Sequence, residues 1–410
     1  MQKFIRYLYV VTVTVSLAIL GVICYFHYCL PNGYYVERGT VLDIGDTITV
    51  GTNGEAVQRA NATVGNSYSA PLRWMGIFPI KTVSVTVVDE SVVVLGGTPF
   101  GVKLYTDGVL VVSMSEVDTA HGNLSPARNA GLRVGDLIIS INDQKVYTNE
   151  EVAGIVKNSA GKTMTFRIKR DGIESDLRFC AAYSRSESCY KAGIWVRDSS
   201  AGIGTLTFYD PDTHTVAGLG HAVCDVDTGE AVPISSGELV PARIYSVDKS
   251  EAGTPGELRG GFGIGSYGPL LANGNHGVYG YCEHGLLGQQ ITVQLKQNIK
   301  TGNAKVYTTI SGSKPDWYDI RIIQIRHHDD NAARNMVIEI TDERLIAQTG
   351  GIVQGMSGSP IVQDGKLVGA VTHVFVNDPT KGYAIFAENM LKVAKSVGDS
   401  TVTNRRDAAS

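Results

Sequence analysis

Gly355-Met356-Ser357-Gly358-Ser359-Pro360 sets a seryl hydroxyl between two glycines. Two β-type runs, "IVQ" and "KLVGAV", follow it about Asp364-Gly365. A serine used for acyl transfer must sit on a tight, exposed turn, with backbone amides aimed at the oxyanion that develops on the substrate. Gly355 and Gly358 leave room for a substrate carbonyl, and the hairpin gives the turn a rigid base. The amides of Ser357 and of Gly355 or Met356 are the oxyanion donors such a turn offers. The competing reading is a Gly/Ser/Pro hairpin entry with no chemistry.

A serine nucleophile needs a base. The chain has 9 histidines. His27 is close to an apolar N-terminal run and His121 falls in a separate module, leaving His214, His221, His276, His284, His327, His328 and His373. His221 sits in "TVAGLGHAVCD", where Gly218 and Gly220 leave space at the imidazole. Such a histidine is ordinarily a packed core residue; its pairing with Ser357 in one exported β domain singles it out. In the "HHDD" run at 327–330, adjacent side chains of a strand would point to opposite faces, so it reads as a solvated turn. Cys224, Cys282 and His284 could be drawn as a zinc hydrolase site, but they lack ligand-pair spacing. No metal and no cofactor are expected. A carboxylate that fixes the imidazole tautomer would complete the set. The candidates are Asp225, Asp227, Asp342, Asp364 and Asp378. Asp225 follows His221 too closely, since i+4 on a strand is ~13 Å away. Asp364 belongs to the hairpin turn. Asp342 ends "NMVIEITD", 15 residues before Ser357.

These residues need a scaffold. The 410 residues suggest two or three domains. With 43 % hydrophobic residues and 47 glycines among short Val, Ile and Thr runs, the chain reads as mainly β with many turns. A net charge of −4 without a basic run gives no reason to expect nucleic acid. Tyr7 to Leu30 carries no ionised residue. As a helix it would span roughly 36 Å, enough for a ~30 Å hydrocarbon core. Lys3 and Arg6 precede it, which keeps the N-terminus in the cytoplasm and sends the rest outward. The run closes on Cys24-Tyr25-Phe26-His27-Tyr28, too bulky for signal cleavage, so residues 1–30 read as an uncleaved transmembrane anchor. Six cysteines are too few for a disulfide framework. Residues 31–91 read as a linker with short strands, among them the pair "TVSVTVVDESVVVLGG" turning at Asp89-Glu90-Ser91. From 181 to 410 short strands and glycine turns predict an all-β domain, barrel or sandwich, with "FAENMLKVAKSV" as its best helix and a frayed tail beyond Gly398.

Between them, residues 92–180 carry an Asp107-Gly108 turn between two strands, "SPARNAGLRVGDLIISIN", the amphipathic "NEEVAGIVKNSAGK" and a closing strand "TMTFRIKR". This run resembles a PDZ domain. In that family an extended peptide adds to a strand edge beside the second helix, its carboxylate held by loop amides. The matching loop is Gly97-Thr98-Pro99-Phe100-Gly101-Val102, so Gly97, Thr98, Phe100, Gly101 and Val102 are the implied peptide-binding residues. The serine turn resembles the Gly-Asp-Ser-Gly-Gly-Pro stretch of chymotrypsin-like peptidases, which selects Ser357 over Ser359. The anchor, the PDZ module, "AGLGHAV" and "TGGIVQGMSGSPIVQDGKLVGAVTHVFVNDPTKGY" together resemble the sporulation-type serine peptidases over nearly the whole chain. That resemblance implies His221, Asp342 and Ser357 as the catalytic set. It also implies a membrane-tethered peptidase of a bacterial forespore, acting in the intermembrane space. Its implied substrates are other copies of itself and a regulatory protein of an intramembrane protease complex, whose cleavage releases a late mother-cell sigma factor. The alternative is a non-catalytic PDZ adaptor that binds protein tails.

Overall fold

A computed structural model of the chain describes residues 2–45, 47–51, 64–224, 236–327 and 332–409. Asp225, Asp227 and His328 lie outside the described residues. The apolar N-terminal run forms α1 (Gln2–Cys29), 28 residues that include an 18-residue window with a mean hydropathy of 2.2 and no buried side chain. At ~1.5 Å per residue it is long enough to cross a bilayer.

Residues 31–91 form more than a linker. β1 (Gly33–Glu37), β2 (Ile48–Val50), β3 (Ser67–Trp74) and β4 (Phe78–Val88) make one sheet in the order β1-β4-β3-β2, with β1 parallel to β4. The cause is visible along β4. Val83, Val85 and Val87 alternate onto one face and are all buried, together with Tyr34, Val36 and Leu72. The expected pairing across Asp89-Glu90-Ser91 does not form. β5 (Val92–Leu95) leaves this sheet and pairs in another, because Val93 and Leu95 have a larger core to enter.

β6 (Pro99–Met114) belongs to two bodies. Its first half pairs with the distal part of β15 (Ile194–Asp210), and its second half pairs with the start of β15 and with β9 (Leu137–Ile141). The crossing lies at Thr106–Gly108. There the Thr106 hydroxyl donates to Gly108 O (2.6 Å), and Gly108 takes φ 140° against Ile138 O, where a Cβ would come within 2.5 Å. Asp107-Gly108 is therefore not a hairpin turn. It is the irregularity at which one ribbon passes from a barrel into the PDZ fold.

The PDZ core is built between these halves. In chain order it has β7 (Val117–Thr119), β8 (Gly122–Leu124), α2 (Pro126–Asn129), β9, β10 (Gln144–Lys145) and α3 (Asn149–Asn158). β11 (Thr163–Arg170), β12 (Ile173–Cys180), β13 (Ala182–Ser184) and β14 (Cys189–Lys191) complete it. Thr148 and Glu151 form a reciprocal capping box on α3, which buries Val152 and Val156. The domain is thus an insertion between β6 and β15, not a segment preceding the peptidase domain.

The rest forms two barrels. In the first, β6, β17 (Ser236–Asp248), β19 (Gly268–Gly274), β20 (Gly277–Tyr281), β16 (Thr215–Gly218) and β15 pair in a closed ring. β18 (Glu257–Phe262) extends β17, and β21 (Gln290–Thr292) pairs with β5 at the side. The second is the closed barrel of β22 (Gly302–Thr308), β23 (Asp316–Ile325), β24 (Met336–Ile340), β27 (Asp378–Phe386), β26 (Lys366–Phe375) and β25 (Pro360–Gln363). α4 (Glu343–Thr349) joins β24 to the serine turn, and α5 (Ala387–Ala409) closes the chain. α5 runs on past Gly398, where a frayed tail was expected.

This topology overturns the peptide-loop reading. Phe100, Gly101 and Val102 pair with Gly204, Ile203 and Gly202 on one side and with Pro241, Val240 and Leu239 on the other. No edge is left for an added strand. Phe100 is fully buried, and the carbonyls of Gly97 and Thr98 accept from Thr309 Oγ1 (2.9 Å) and Leu206 N (3.0 Å). The glycines here serve close strand packing, since a Cβ on Gly101 would come within 2.5 Å of the Phe262 ring.

Candidate active site between the barrels

The serine turn is held from below and from one side. α4 ends at Gly350 (φ 73°), and the chain then buries Ile352, Val353 and Met356 in the second barrel's core. Met356 acts as the floor and Ser357 comes up beside it. The wall is β15. Thr205 N–H donates to Ser357 O (2.9 Å), Thr205 Oγ1 to Gly355 O (2.9 Å) and Thr207 Oγ1 to Gly358 O (2.7 Å). Gly358 (φ 93°) is forced by this approach: a Cβ there would come within 1.9 Å of Thr205 O. Ser359 is fully buried and bonded to Thr308 Oγ1 and Met356 O, so Ser357 is the hydroxyl at the surface of the turn.

The amides divide in the same way. Met356 N–H donates to Val353 O (3.1 Å) and Gly358 N–H to Val371 O (2.7 Å). Among the described residues, the amides of Gly355 and Ser357 have no hydrogen-bond partner. Met356 is therefore not a free oxyanion donor, because its amide closes the turn beneath the serine. Gly355 and Ser357 remain open.

His221 arrives from the first barrel. β16 ends at Gly218; Leu219 (φ 65°) and Gly220 (φ 71°) then turn the chain left-handed over the serine turn. Leu219 N–H donates to Thr205 O (3.3 Å), and a Cβ on Gly220 would come within 2.9 Å of Thr372. Thr205 thus touches both chemistry-bearing segments. His221 Nδ1 lies 2.7 Å from Ala222 O. A carbonyl can only accept, so Nδ1 carries the proton and Nε2 keeps its lone pair. Burial pushes the His221 pKa below 6.5, which favours this neutral base. Its ring packs on His373 at 4.6 Å between centroids. His221 and Ser357 line one cavity of ≈ 1460 Å³, with His276, His373, Asn335 and Gln354 also on its wall. The Ser357 hydroxyl donates to Thr372 O (2.6 Å) and not to His221, so attack requires it to turn from that carbonyl toward Nε2.

The structure does not bring Asp342 to this cavity. Asp342 is the N-cap of α4, accepting from Arg344 N (2.9 Å), Asp319 N (3.2 Å) and the Arg344 guanidinium (2.9 Å). The Arg344 hydrogen bond holds its carboxyl down at about 2. Its role in the fold is to end β24 and start the helix that leads to the serine turn. Asp364 forms the expected hairpin turn (φ 50°), and Asp378 pairs with Lys381 at 2.7 Å. Cys282 is buried with its thiol toward Gly285 O, and among the described residues no three metal-ligating side chains converge.

Thr205 and Thr207 are the site residues that sequence reasoning missed. "GTLTF" alternates, so the two hydroxyls share one face of β15, a signal that was available without a reason to use it. Thr205→Val keeps the shape and leaves Gly355 O unpaired. We expect a loss of about 1–3 kcal/mol in unfolding free energy, together with slower active-site labelling. Unchanged stability would show that water replaces the hydroxyl.

Residues 188–391 match the family described as SpoIVB peptidase S55, and residues 124–170 match the PDZ domain family. A Clostridium acetobutylicum protein named as a zinc metalloprotease is 24 % identical over 101 residues, 25 % of this chain and 29 % of that relative. An Enterococcus faecalis protein named as the protease eep is 32 % identical over 85 residues, 20 % of each chain. The chain thus spans less than a third of either curated relative. Among solved structures, the active form of the M. tuberculosis protease Rv3671c aligns with 16 % identity and a TM-score of 0.29, covering 48 % of this chain and 74 % of that one. The HtrA-type protease AlgW with a decapeptide aligns with 14 % identity and a TM-score of 0.29, covering 49 % and 54 %. With a helix at its start long and apolar enough to span a membrane and a PDZ domain set into its first barrel, the chain belongs to the SpoIVB S55 family of serine peptidases.

Proposed function

We propose that His221 removes the proton of Ser357, which attacks a peptide carbonyl, and that the amides of Gly355 and Ser357 receive the oxyanion. The observation that carries this reading is the meeting of two glycine turns on Thr205, which brings an imidazole with a free Nε2 and a surface serine to one cavity. In this reading the Ala222 carbonyl fixes the imidazole tautomer, and Asp342 positions the serine turn through α4. The protein cleaves other copies of itself and a regulatory protein of an intramembrane protease complex during endospore formation, which leads to release of a late mother-cell sigma factor. Its N-terminus is in the forespore cytoplasm and its catalytic domain in the intermembrane space, as Lys3 and Arg6 in the first turns of α1 favour. A substrate tail would add to β14, which lies beside α3 and pairs on its other side with β13.

The test is labelling of the full chain by a fluorophosphonate. Wild type and Ser359→Ala are expected to label, Ser357→Ala and His221→Ala not. Labelling that survives in Ser357→Ala would remove the assignment. Absence of labelling in every form, with trans-cleavage also absent, would favour the PDZ adaptor.

A further inference from the structure

The β3–β4 hairpin ends in Trp74-Met75-Gly76-Ile77-Phe78, and its tip is unusual in two ways. Met75 and Ile77 are 63 % and 70 % exposed. Ile77 N–H donates to Trp74 O (3.1 Å), closing a turn in which Met75 (φ 51°) and Gly76 (φ 73°) are both left-handed. Such turns ordinarily take Asn or Gly at the first position. A methionine there is sterically unfavourable, and its apolar side chain faces outward. The tip is nonetheless tied down: Met75 N–H donates to Thr47 O (2.8 Å), and the Trp74 and Phe78 rings pack 5.6 Å apart.

Its place in the fold says what covers it. The strand that follows, β4, packs on the outer end of α1. Lys81 donates to His27 O (3.1 Å), Leu30 O and Asn32 Oδ1, so its ammonium caps the carbonyl end of α1. His27 Nδ1 also meets Ile80 O (3.2 Å). Tyr25, Phe26 and Tyr28 mark this end of α1 as the interfacial aromatic belt of a spanning helix. β1 follows α1 and runs parallel to β4, so the hairpin tip lies back toward α1 from Lys81. From Lys81 to Phe78 is about 10 Å of strand at ~3.3 Å per residue, a depth typical of groups buried at the headgroup boundary. Along α1, Ile19, Val22, Ile23 and Phe26 are half-buried at helical spacing while their neighbours are exposed.

We propose that the β3–β4 hairpin tip is a second membrane contact, with Trp74, Met75, Ile77 and Phe78 seated in the outer leaflet beside α1 and Arg73 at the headgroups. The four-stranded module then holds a fixed attitude to the bilayer instead of swinging on the helix.

The chain has 3 tryptophans, and Trp195 and Trp317 are remote from α1 in sequence. The test is a full chain carrying Trp195→Phe and Trp317→Phe, inserted in phosphatidylcholine vesicles, with its thermal transition retained. Trp74 emission is expected to be quenched strongly by lipids brominated high on the acyl chain and weakly by aqueous iodide. Adding Ile77→Lys is expected to withdraw the tip, weakening lipid quenching and moving the emission maximum to longer wavelength. Quenching by iodide and not by brominated lipid would overturn the proposal. So would quenching by neither, which would mean that a second copy or another protein covers the tip.

Discussion

Ser357→Ala is expected to lower kcat/KM for peptide cleavage by roughly 10⁵- to 10⁶-fold, and His221→Ala by a similar factor, with the double variant no worse than either. In the proposed mechanism the two residues act as one unit. Without His221 the Ser357 hydroxyl has only Thr372 O as a partner, and a carbonyl cannot take its proton. Without Ser357 the imidazole has nothing to activate except water. What survives in each variant is the pair of open amides at Gly355 and Ser357, which in the proposed mechanism would still stabilise a developing oxyanion. The pH profile carries a second signature. Burial lowers the His221 pKa from 6.5, so the imidazole stays neutral to a lower pH than a free histidine. Protonation removes the base, so the acid limb of kcat/KM is expected below pH 6.5. Cleavage in trans of a Ser357→Ala copy by wild type provides the assay. Additive losses in the double variant would show that the residues act separately, and an acid limb above pH 6.5 would point to another base.

The parts of this site that were legible in the sequence are the local ones. A Gly-x-Ser-Gly turn, a glycine-flanked histidine and an Asp-Gly hairpin each act over a few residues, and each folds where its pattern says. The amphipathic helix of the PDZ domain belongs to the same class. What was not legible is pairing at long range. The β6 segment reads as two strands turning at Asp107-Gly108, and nothing in the alternation of β6 or β15 says that one half joins a barrel and the other half a PDZ domain. The same gap misplaced Gly97 to Val102. A loop of glycines before a strand fits a carboxylate cradle or a tightly paired barrel strand, and only the partners decide. Those partners, Gly202–Gly204 and Leu239–Pro241, lie about a hundred residues or more away. The shared ribbon has a consequence for the site. Residues 194–197 of β15 pair within the PDZ domain, and Thr205 and Thr207 of the same strand hold the serine turn. A peptide bound at β14, as proposed above, would therefore be joined to Ser357 through eight to ten residues of one strand rather than through a flexible linker.

Asp342 separates two accounts of how this site is held. If its carboxylate oriented His221, Asp342→Asn would cost about 10⁴-fold in kcat through the wrong tautomer, with stability intact. The structure gives a different expectation. Asp342 caps α4 and accepts from Asp319 N, so Asp342→Ala removes a cap and leaves a backbone donor unpaired. Those losses sum to about 2–4 kcal/mol; the Arg344 pair adds little, because its guanidinium is 60 % exposed. Asparagine caps a helix about as well as aspartate. Asp342→Asn is therefore expected to recover most of that stability and to keep kcat within about tenfold of wild type. Acid titration gives an independent sign. A carboxyl held at about 2 in the fold, against 3.8 when free, stabilises the protein above pH 3.8 and loses that contribution as pH falls through about 2. The difference in urea unfolding free energy between wild type and Asp342→Asn is expected to shrink over this window. A stable Asp342→Asn protein with a 10⁴-fold loss in kcat would mean that the active form moves Asp342 away from Arg344 and against His221, and the resting contacts described above would then be those of an enzyme awaiting that rearrangement.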